Sequence, residues 1–213
     1  NWYSAYAVQE MPDVHFCLAH VGAPGALHSA QPIALPSDVA GLQVRPASGA
    51  MARFIADLGG SAVQVPATEA RQAIERGVAN AITFPWGSID FFGISDAVPY
   101  HIADTLYYVG AGIVINKDRY ESLSPEMRAA LDSVCTSEWA VNVGASWVEF
   151  EDAGRQVLAD MGHTIHQLTP EELAAWHEAA QPSYDRWAAA MTAAGLDPVA
   201  IRAELDAAVA AAE

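Results

Sequence analysis

The sequence predicts an α/β protein built around a parallel sheet, and three observations carry this prediction. Short apolar strands alternate with helical segments between residues 42 and 84. Such a βαβαβ order implies parallel strands joined by right-handed crossovers. A proline-free run from residue 126 to 161 predicts one helix of about 55 Å, at a rise of about 1.5 Å per residue, long enough to run across two lobes. The composition, 52% hydrophobic and 17% charged, is that of a globular chain with a core.

The composition also excludes several classes of function. The formal net charge is −16, whereas nucleic acids and anionic membrane surfaces are bound by clustered Lys and Arg. No run of about 18 apolar residues predicts a transmembrane helix. Two cysteines, Cys17 and Cys135, permit one disulfide, but they lie in a strand-like and a helix-like run. We therefore expect two buried free thiols.

The first strand of the alternating series ends in an arginine. Leu42 and Val44 alternate with polar residues up to Arg45, and Pro46 prevents a central strand from continuing. A helix over residues 50–58 follows. Small ligands bind at the carboxyl ends of strands in open α/β sheets, and a guanidinium there can hold a carboxylate by two hydrogen bonds. We expect Arg45 to face solvent in the open form of the protein and to bind an organic anion; the alternative is a solvated or ion-paired surface charge.

The segments before Arg45 carry fewer regular patterns. Trp2–Glu10 is typical of the end of a helix, and Asp13–Val21 predicts a buried apolar strand. Gly22–Pro36 contains three prolines and two glycines, which predicts an irregular segment. Residues 37–40 predict one helical turn.

The segments after Arg45 continue the alternation. Gly59 and Gly60 end the first helix, and Ala62–Val65 predicts the second strand. Thr68 is expected to cap a helix that ends at Gly77. The remaining predicted elements are a strand at 80–84, a strand within 106–115, the long helix capped by Ser124, a strand at 163–168, a helix with a capping box at 169–172, and a final helix at 197–213.

No cluster of residues indicates catalysis or a metal site. His163 and His166 are three apart in a predicted strand, so they face opposite ways and make a poor metal pair. Glu149, Glu151 and Asp152 are expected to form a solvated helix face. No nucleophile, general base or metal cluster rises above background. An α/β enzyme acting on small acids stays open as an alternative.

Several segments together resemble one protein family. Residues 36–45 read PSDVAGLQVR, similar to the family motif DLKGLKIR, and the segments at 58–66, 73–80, 114–118 and 123–126 follow in the family's order. The chain thus resembles the extracytoplasmic solute-binding proteins, DctP type, of tripartite ATP-independent periplasmic (TRAP) transporters.

The resemblance implies a periplasmic-binding-protein-like α/β fold of two lobes with a long lobe-spanning helix. It also implies that the first lobe is incomplete in this chain. The expected division places residues 1–22 and 111–150 in the remnant of lobe 1 and residues 23–110 and 151–178 in lobe 2. The C-terminal helices, 179–213, are expected to pack back on lobe 1.

The resemblance further implies a ligand site. The arginine at the Arg45 position binds the ligand carboxylate in that family. Many members have Asn where this chain has Phe84, and the sialic-acid branch has a second arginine where this chain has Gly25. Phe84 and Trp86 therefore resemble the branch that handles aromatic or apolar monocarboxylates. Tyr107 and Tyr108 alternate on a predicted strand, so one of the two tyrosines could face the cleft. Which of them does so is left open.

The expected function is binding without catalysis or cofactor. The resemblance implies a periplasmic location, an organic acid ligand and the TRAP membrane permease subunits as partners. Nucleic acid and direct membrane insertion are not expected. Two alternatives stay open besides this function: the small-acid enzyme, and a truncated fragment that folds without binding. A truncated chain would expose strand edges and could associate with itself.

Overall fold

The computed structural model describes residue 6 and residues 11–211, so the predicted helix end at Trp2–Glu10 lies, apart from Tyr6, outside the described residues. The strands are β1 (Val14–Val21), β2 (Gly25–Ser29), β3 (Gln43–Arg45), β4 (Ser61–Ala62), β5 (Ala81–Pro85), β6 (Tyr100–Ile102), β7 (Gly110–Asn116) and β8 (Thr164–His166). The α-helices are α1 (Gly49–Asp57), α2 (Ala70–Glu75), α3 (Trp86–Phe91), α4 (Lys117–Glu121), α5 (Pro125–Asp132), α6 (Ser137–Asp160), α7 (Pro170–Ala193) and α8 (Pro198–Ala210). Short 3-10 turns cover Pro36–Val39, Ala67–Glu69 and Ser95–Ala97.

The chain divides into two compact units. Unit 1 comprises residues 1–23, 108–149 and 196–213, and unit 2 comprises residues 24–107 and 150–195. Residues 179–195 thus fall in unit 2, although we expected them with lobe 1. They belong to α7, in which Arg186 of this stretch forms an ion pair with Asp57 of α1 in the same unit.

Unit 2 is built on a six-stranded mixed sheet in the order β4-β3-β5-β2-β6-β8. β3 runs parallel to both β4 and β5, as the βαβαβ pattern predicted. β2 runs antiparallel to β5 and β6, and β6 runs parallel to β8. Two hydrophobic clusters contain most of the buried apolar side chains of this unit.

The helix predicted after Arg45 is confirmed as α1. The Ser48 hydroxyl accepts a hydrogen bond from the Met51 amide and caps α1. Met51, Phe54 and Ile55 form its buried face, spaced as one side of a helix requires. Gly59 follows with a φ of 81°, the left-handed conformation that glycine adopts most easily after a helix.

The segment Gly22–Pro36, which we predicted to be irregular, contains a central strand of the sheet. All five residues of β2 are buried, and the strand pairs along both edges. The prolines lie just outside the strand, where they remove no ladder hydrogen bond. Residues 37–40 do form the predicted helical turn, in the 3-10 form.

Two further local predictions need correction in unit 2. Thr68 does not cap a helix, because it lies within a 3-10 turn that precedes α2, and the N-cap of α2 is Glu69. The predicted strand Ala62–Val65 is reduced to β4, two exposed residues at the edge of the sheet.

The long helix is interrupted. The prediction of one helix over residues 126–161 is wrong, because α5 ends at Asp132 and α6 begins at Ser137. At a rise of about 1.5 Å per residue, the 24 residues of α6 span about 36 Å rather than 55 Å. In the interruption the Ser133 hydroxyl donates to the Ala130 carbonyl, and Thr136 Oγ1 accepts the Trp139 amide as a cap would.

Unit 1 contains a two-stranded antiparallel sheet of β1 and β7 and a disulfide. The prediction of β1 is confirmed in position but not in burial, since Leu18 is its one buried residue. Cys135 lies in the break between α5 and α6 and is bonded to Cys17 of β1. The expectation of two buried free thiols is therefore wrong. No helix among the described residues is long and apolar enough to cross a membrane.

Candidate functional site

The carboxyl ends of β3 and β5 bring two predicted site residues into contact. Arg45 ends β3, and Phe84 is the penultimate residue of β5, its parallel neighbour. The guanidinium carbon of Arg45 lies 4.8 Å from the centre of the Phe84 ring. A cation over an aromatic face is attracted by the negative quadrupole of the ring. The sheet thus presents a cation and an aromatic ring together at the carboxyl ends of its strands, where open α/β sheets bind ligands.

Arg45 is buried in this structure, whereas a solvent-facing side chain is expected in the open form. The residue is only 8% exposed, and its Nε–H donates to the carbonyl oxygen of Val65 at 3.2 Å. No carboxylate among the described residues forms a salt bridge with it. Burial lowers the pKa of Arg45, and Tyr107 acts in the opposite direction. A guanidinium still stays charged in proteins, so Arg45 is a buried cation without a counter-charge, which an anion would stabilise.

Phe84 and Trp86 are buried in the core and do not form an exposed aromatic surface. They are 6% and 5% exposed, and both belong to the same hydrophobic cluster. Trp86 begins α3, and its ring lies 5.1 Å from that of His28 and 5.3 Å from the guanidinium carbon of Arg155. Phe84 therefore offers the face beneath Arg45, whereas Trp86 mainly supports the turn from β5 into α3.

Gly25 is the first residue of β2 and lies opposite Pro85 in the ladder with β5. Its φ is not unusual, so a close approach rather than its conformation requires glycine here. A Cβ at this position would lie 2.0 Å from Cζ of Tyr107, a distance at which the two atoms would clash. Tyr107, and not Tyr108, is thus the tyrosine at this end of the sheet, since Tyr108 is exposed and belongs to unit 1.

Glu151 is buried at the amino end of α3, so the expectation of a solvated face at 149–152 is wrong for this residue. Its carboxylate accepts the Ser88 amide at 2.8 Å and the Ser88 hydroxyl at 2.6 Å. Burial raises the pKa of Glu151, while these hydrogen bonds act to lower it. The approach of α6 to α3 is close because both contact residues are glycines: a Cβ on Gly154 would lie 2.2 Å from Cα of Gly87.

Three histidines form a hydrogen-bonded chain that sequence reasoning did not find. His28 Nε2 lies 3.0 Å from the Phe84 carbonyl oxygen, His28 Nδ1 lies 2.7 Å from His101 Nδ1, and His101 Nε2 lies 2.9 Å from His163 Nδ1. Because a carbonyl only accepts, Nε2 of His28 carries the proton, and each following imidazole donates through Nδ1. The three residues are far apart in sequence, so no local spacing signals the chain. The single histidine within the buried strand β2 is the one local hint.

Among the described residues, one group of potential metal ligands occurs in unit 1. His15, Asp132 and Cys135 have ligand atoms within 4.8 Å of one another, but Cys135 is committed to the disulfide. His163 and His166 each contact a different partner. His163 is hydrogen-bonded to His101, and His166 Nε2 lies 2.9 Å from Glu172. These histidines therefore have structural partners.

Comparison with known sequences identifies relatives over most of the chain. The family model described as bacterial extracellular solute-binding protein, family 7 (DctP), matches residues 20–190. The chain is 28% identical over 159 residues to the C4-dicarboxylate-binding periplasmic protein DctP of Rhodobacter capsulatus, covering 74% of this chain and 47% of that protein. It is 25% identical over 167 residues to a solute-binding protein of Chromohalobacter salexigens, covering 78% and 49%. The chain thus spans about half the length of the curated relatives that it matches.

Solved structures share the fold. One is a marine metagenome TRAP solute-binding protein described as specific for aromatic acid ligands and bound to metahydroxyphenylacetate. It matches with a TM-score of 0.84 and 25% identity over 94% of this chain and 64% of that one. A second is a TRAP periplasmic solute-binding protein from Bordetella bronchiseptica with bound mandelate; it matches with a TM-score of 0.89 and 23% identity over 100% of this chain and 70% of that one. The predicted α/β, periplasmic-binding-protein-like fold is confirmed.

Proposed function

We propose that this chain, which belongs to the DctP family of bacterial extracellular solute-binding proteins (family 7), forms the acid-binding part of the solute-binding component of a TRAP-type transporter. The family consists of solute-binding proteins, so nothing supports the alternative of an enzyme acting on small acids. The proposed ligand is an organic acid, held by a salt bridge between its carboxylate and Arg45.

The observation that carries this proposal is the unpaired charge of Arg45. A buried guanidinium with one backbone partner keeps most of its five donors free for a ligand. Only a group that supplies negative charge and acceptor oxygens in a plane satisfies it fully, and a carboxylate does both. The location at the end of β3, beside α1, is the one that ligands of open α/β sheets occupy.

We propose further that the acid is an aromatic or apolar monocarboxylate. Arg45 is the only buried arginine or lysine among the described residues, so the buried site can neutralise one carboxylate. The Phe84 ring beneath the guanidinium offers apolar contact for the rest of the ligand. The metagenome relative described as specific for aromatic acids supports this choice, whereas the R. capsulatus relative is named for C4-dicarboxylates. A second carboxylate would need a second cation.

Calorimetric titration with benzoate, 3-hydroxybenzoate and succinate tests the proposal. We expect the aromatic acids to bind more tightly than succinate. The variant Arg45→Ala should lose roughly 30-fold to 1,000-fold in affinity, the cost of removing one partner of a buried charge pair. Arg53→Ala is the matched control, since Arg53 lies exposed on the next helix and should leave affinity unchanged.

Three outcomes would contradict parts of the proposal. Unchanged affinity in Arg45→Ala would refute the anchor, and tighter binding of succinate would refute the monocarboxylate. Failure of every acid to bind a normally folded protein would favour the alternative of a chain that folds without binding. A ligand at 100 times its dissociation constant stabilises by about 2.7 kcal/mol, so a thermal-shift screen detects binding as well.

The proposed partners and location follow from the family. The membrane permease subunits of a TRAP system would receive the ligand, and the protein would work in the periplasm. The disulfide suits that compartment, because disulfides persist where the environment is oxidising.

A further inference from the structure

We propose that Tyr107 is a second carboxylate-binding residue of the acid site: its phenol O–H donates to the carboxylate that Arg45 holds. The inference rests on the proposed function and goes beyond it, because it assigns a second donor.

The ring of Tyr107 occupies the space above the backbone of Gly25. A Cβ on Gly25 would lie 2.0 Å from Cζ and 2.4 Å from the hydroxyl oxygen. Two backbone hydrogen bonds hold the segments together: the Gly25 amide donates to the Tyr107 carbonyl at 3.0 Å, and the Leu106 amide donates to the Gly25 carbonyl at 2.9 Å. The phenol therefore takes the volume that a side chain at position 25 would otherwise fill, beside the end of β5.

The hydroxyl of Tyr107 is buried and makes no hydrogen bond of normal geometry within the described chain. Thr83 lies near enough to lower the pKa of Tyr107, and Thr83 Oγ1 also accepts the Ala47 amide at 2.8 Å. A buried hydroxyl without a partner costs stability, so its presence calls for a ligand or another compensation.

The charges around this hydroxyl indicate which ligand it suits. Arg45 and Glu151 both lie within electrostatic range of the phenol, Arg45 acting to lower its pKa and Glu151 to raise it. Burial is the largest effect and raises the pKa of Tyr107, so the phenol stays protonated near neutral pH and can donate. An unpaired donor and an unpaired buried cation at one end of the sheet match a carboxylate, which only accepts.

The variant Tyr107→Phe tests the hydroxyl and keeps the ring. We expect its affinity for benzoate to fall about tenfold or more, because a hydrogen bond to a charged group contributes about this much to binding. The affinity is measured by calorimetry at pH 7.5. Its melting temperature without ligand should stay equal or rise, because the variant removes an unpaired buried donor. Tyr108→Phe is the matched control and should change neither quantity, since Tyr108 is 65% exposed.

Each remaining outcome overturns the inference in a recognisable way. Unchanged affinity in Tyr107→Phe, with Arg45→Ala still impaired, refutes the role of Tyr107 and leaves the proposed function intact. Lower affinity together with a lower melting temperature shows that the hydroxyl is a structural partner instead. If the unaltered protein binds no acid, the proposed function fails, and the assignment of Tyr107 fails with it.

Discussion

Mild acidification should destabilise this protein through two buried histidines, at a pH where most carboxylates are still ionised. Burial lowers the pKa of His28 to about 4. Burial, together with the neighbouring His28 and His163, lowers the pKa of His101 to about 2. Both imidazoles carry hydrogen bonds in the histidine chain and are neutral in the native state at neutral pH. In the unfolded chain each would titrate near a pKa of about 6.5.

The sign of the effect follows from where the protons bind. Below about pH 6.5 the unfolded state takes up protons that the native state does not, so stability is lost as the pH falls. Each histidine costs about 1.4 kcal/mol per pH unit, so at pH 5 the two together remove about 4 kcal/mol. That is a large part of an ordinary unfolding free energy of about 5–15 kcal/mol. Glu151 acts in the opposite direction, because its raised pKa makes the native state bind a proton more readily, and it offsets part of the loss.

Urea unfolding between pH 8 and pH 5 measures this effect. The variant His28→Gln has no imidazole to titrate at this position, so we expect its loss of stability over that range to be about 2 kcal/mol smaller. His177→Gln, on the exposed side of α7, serves as control and should behave as the unaltered protein does. An unaltered protein that keeps its stability to within about 1 kcal/mol down to pH 5, or a His28→Gln variant with the full pH dependence, would refute the reasoning.

Three further predictions concern the disulfide, the helix contact and the aromatic ring. Replacing both cysteines by serine should lower the unfolding free energy by about 3–5 kcal/mol, since the bond closes a loop with a sequence separation of 118; an unchanged urea midpoint would contradict this. Gly154→Ala should destabilise by about 1–3 kcal/mol because its Cβ would meet Gly87, whereas Gly144→Ala in the same helix meets its neighbours at 3.6 Å or more and should be neutral or stabilising by up to about 1 kcal/mol. Thermal melts that rank the two variants equally would count against the close contact. Phe84→Asn should weaken aromatic acids more than short aliphatic ones in calorimetry, and an equal loss would remove Phe84 from the specificity argument.

Several features that depend on near neighbours in sequence were predictable. The strand that ends at Arg45 is followed by the predicted helix, and Thr169 forms the predicted capping box with Glu172. These features depend on side chains within four residues of one another. The family resemblance was also readable, because it depends on the order of such local segments.

Residues whose environment is set by distant partners were not predictable. Glu151 appeared to belong to a solvated acidic face and is instead buried on Ser88, a residue 63 positions earlier. Arg45, expected in solvent in the open form, is covered in this structure where Val65 and Phe84 pack against it. Burial is a property of the assembled sheet and its helices, and periodicity within one segment does not report it.

The sequence by itself determined the α/β class, the parallel direction of β3 and β5 and the position of Arg45 at a strand end. Periodicity, helix caps and turn residues act over a few positions, so they can be predicted from the sequence. Only the tertiary structure decided that β2 lies at the centre of the sheet, that Cys17 bonds Cys135, and that His28, His101 and His163 form one chain. Each of these joins residues far apart in sequence, and their pairing depends on how the whole chain packs its hydrophobic surfaces.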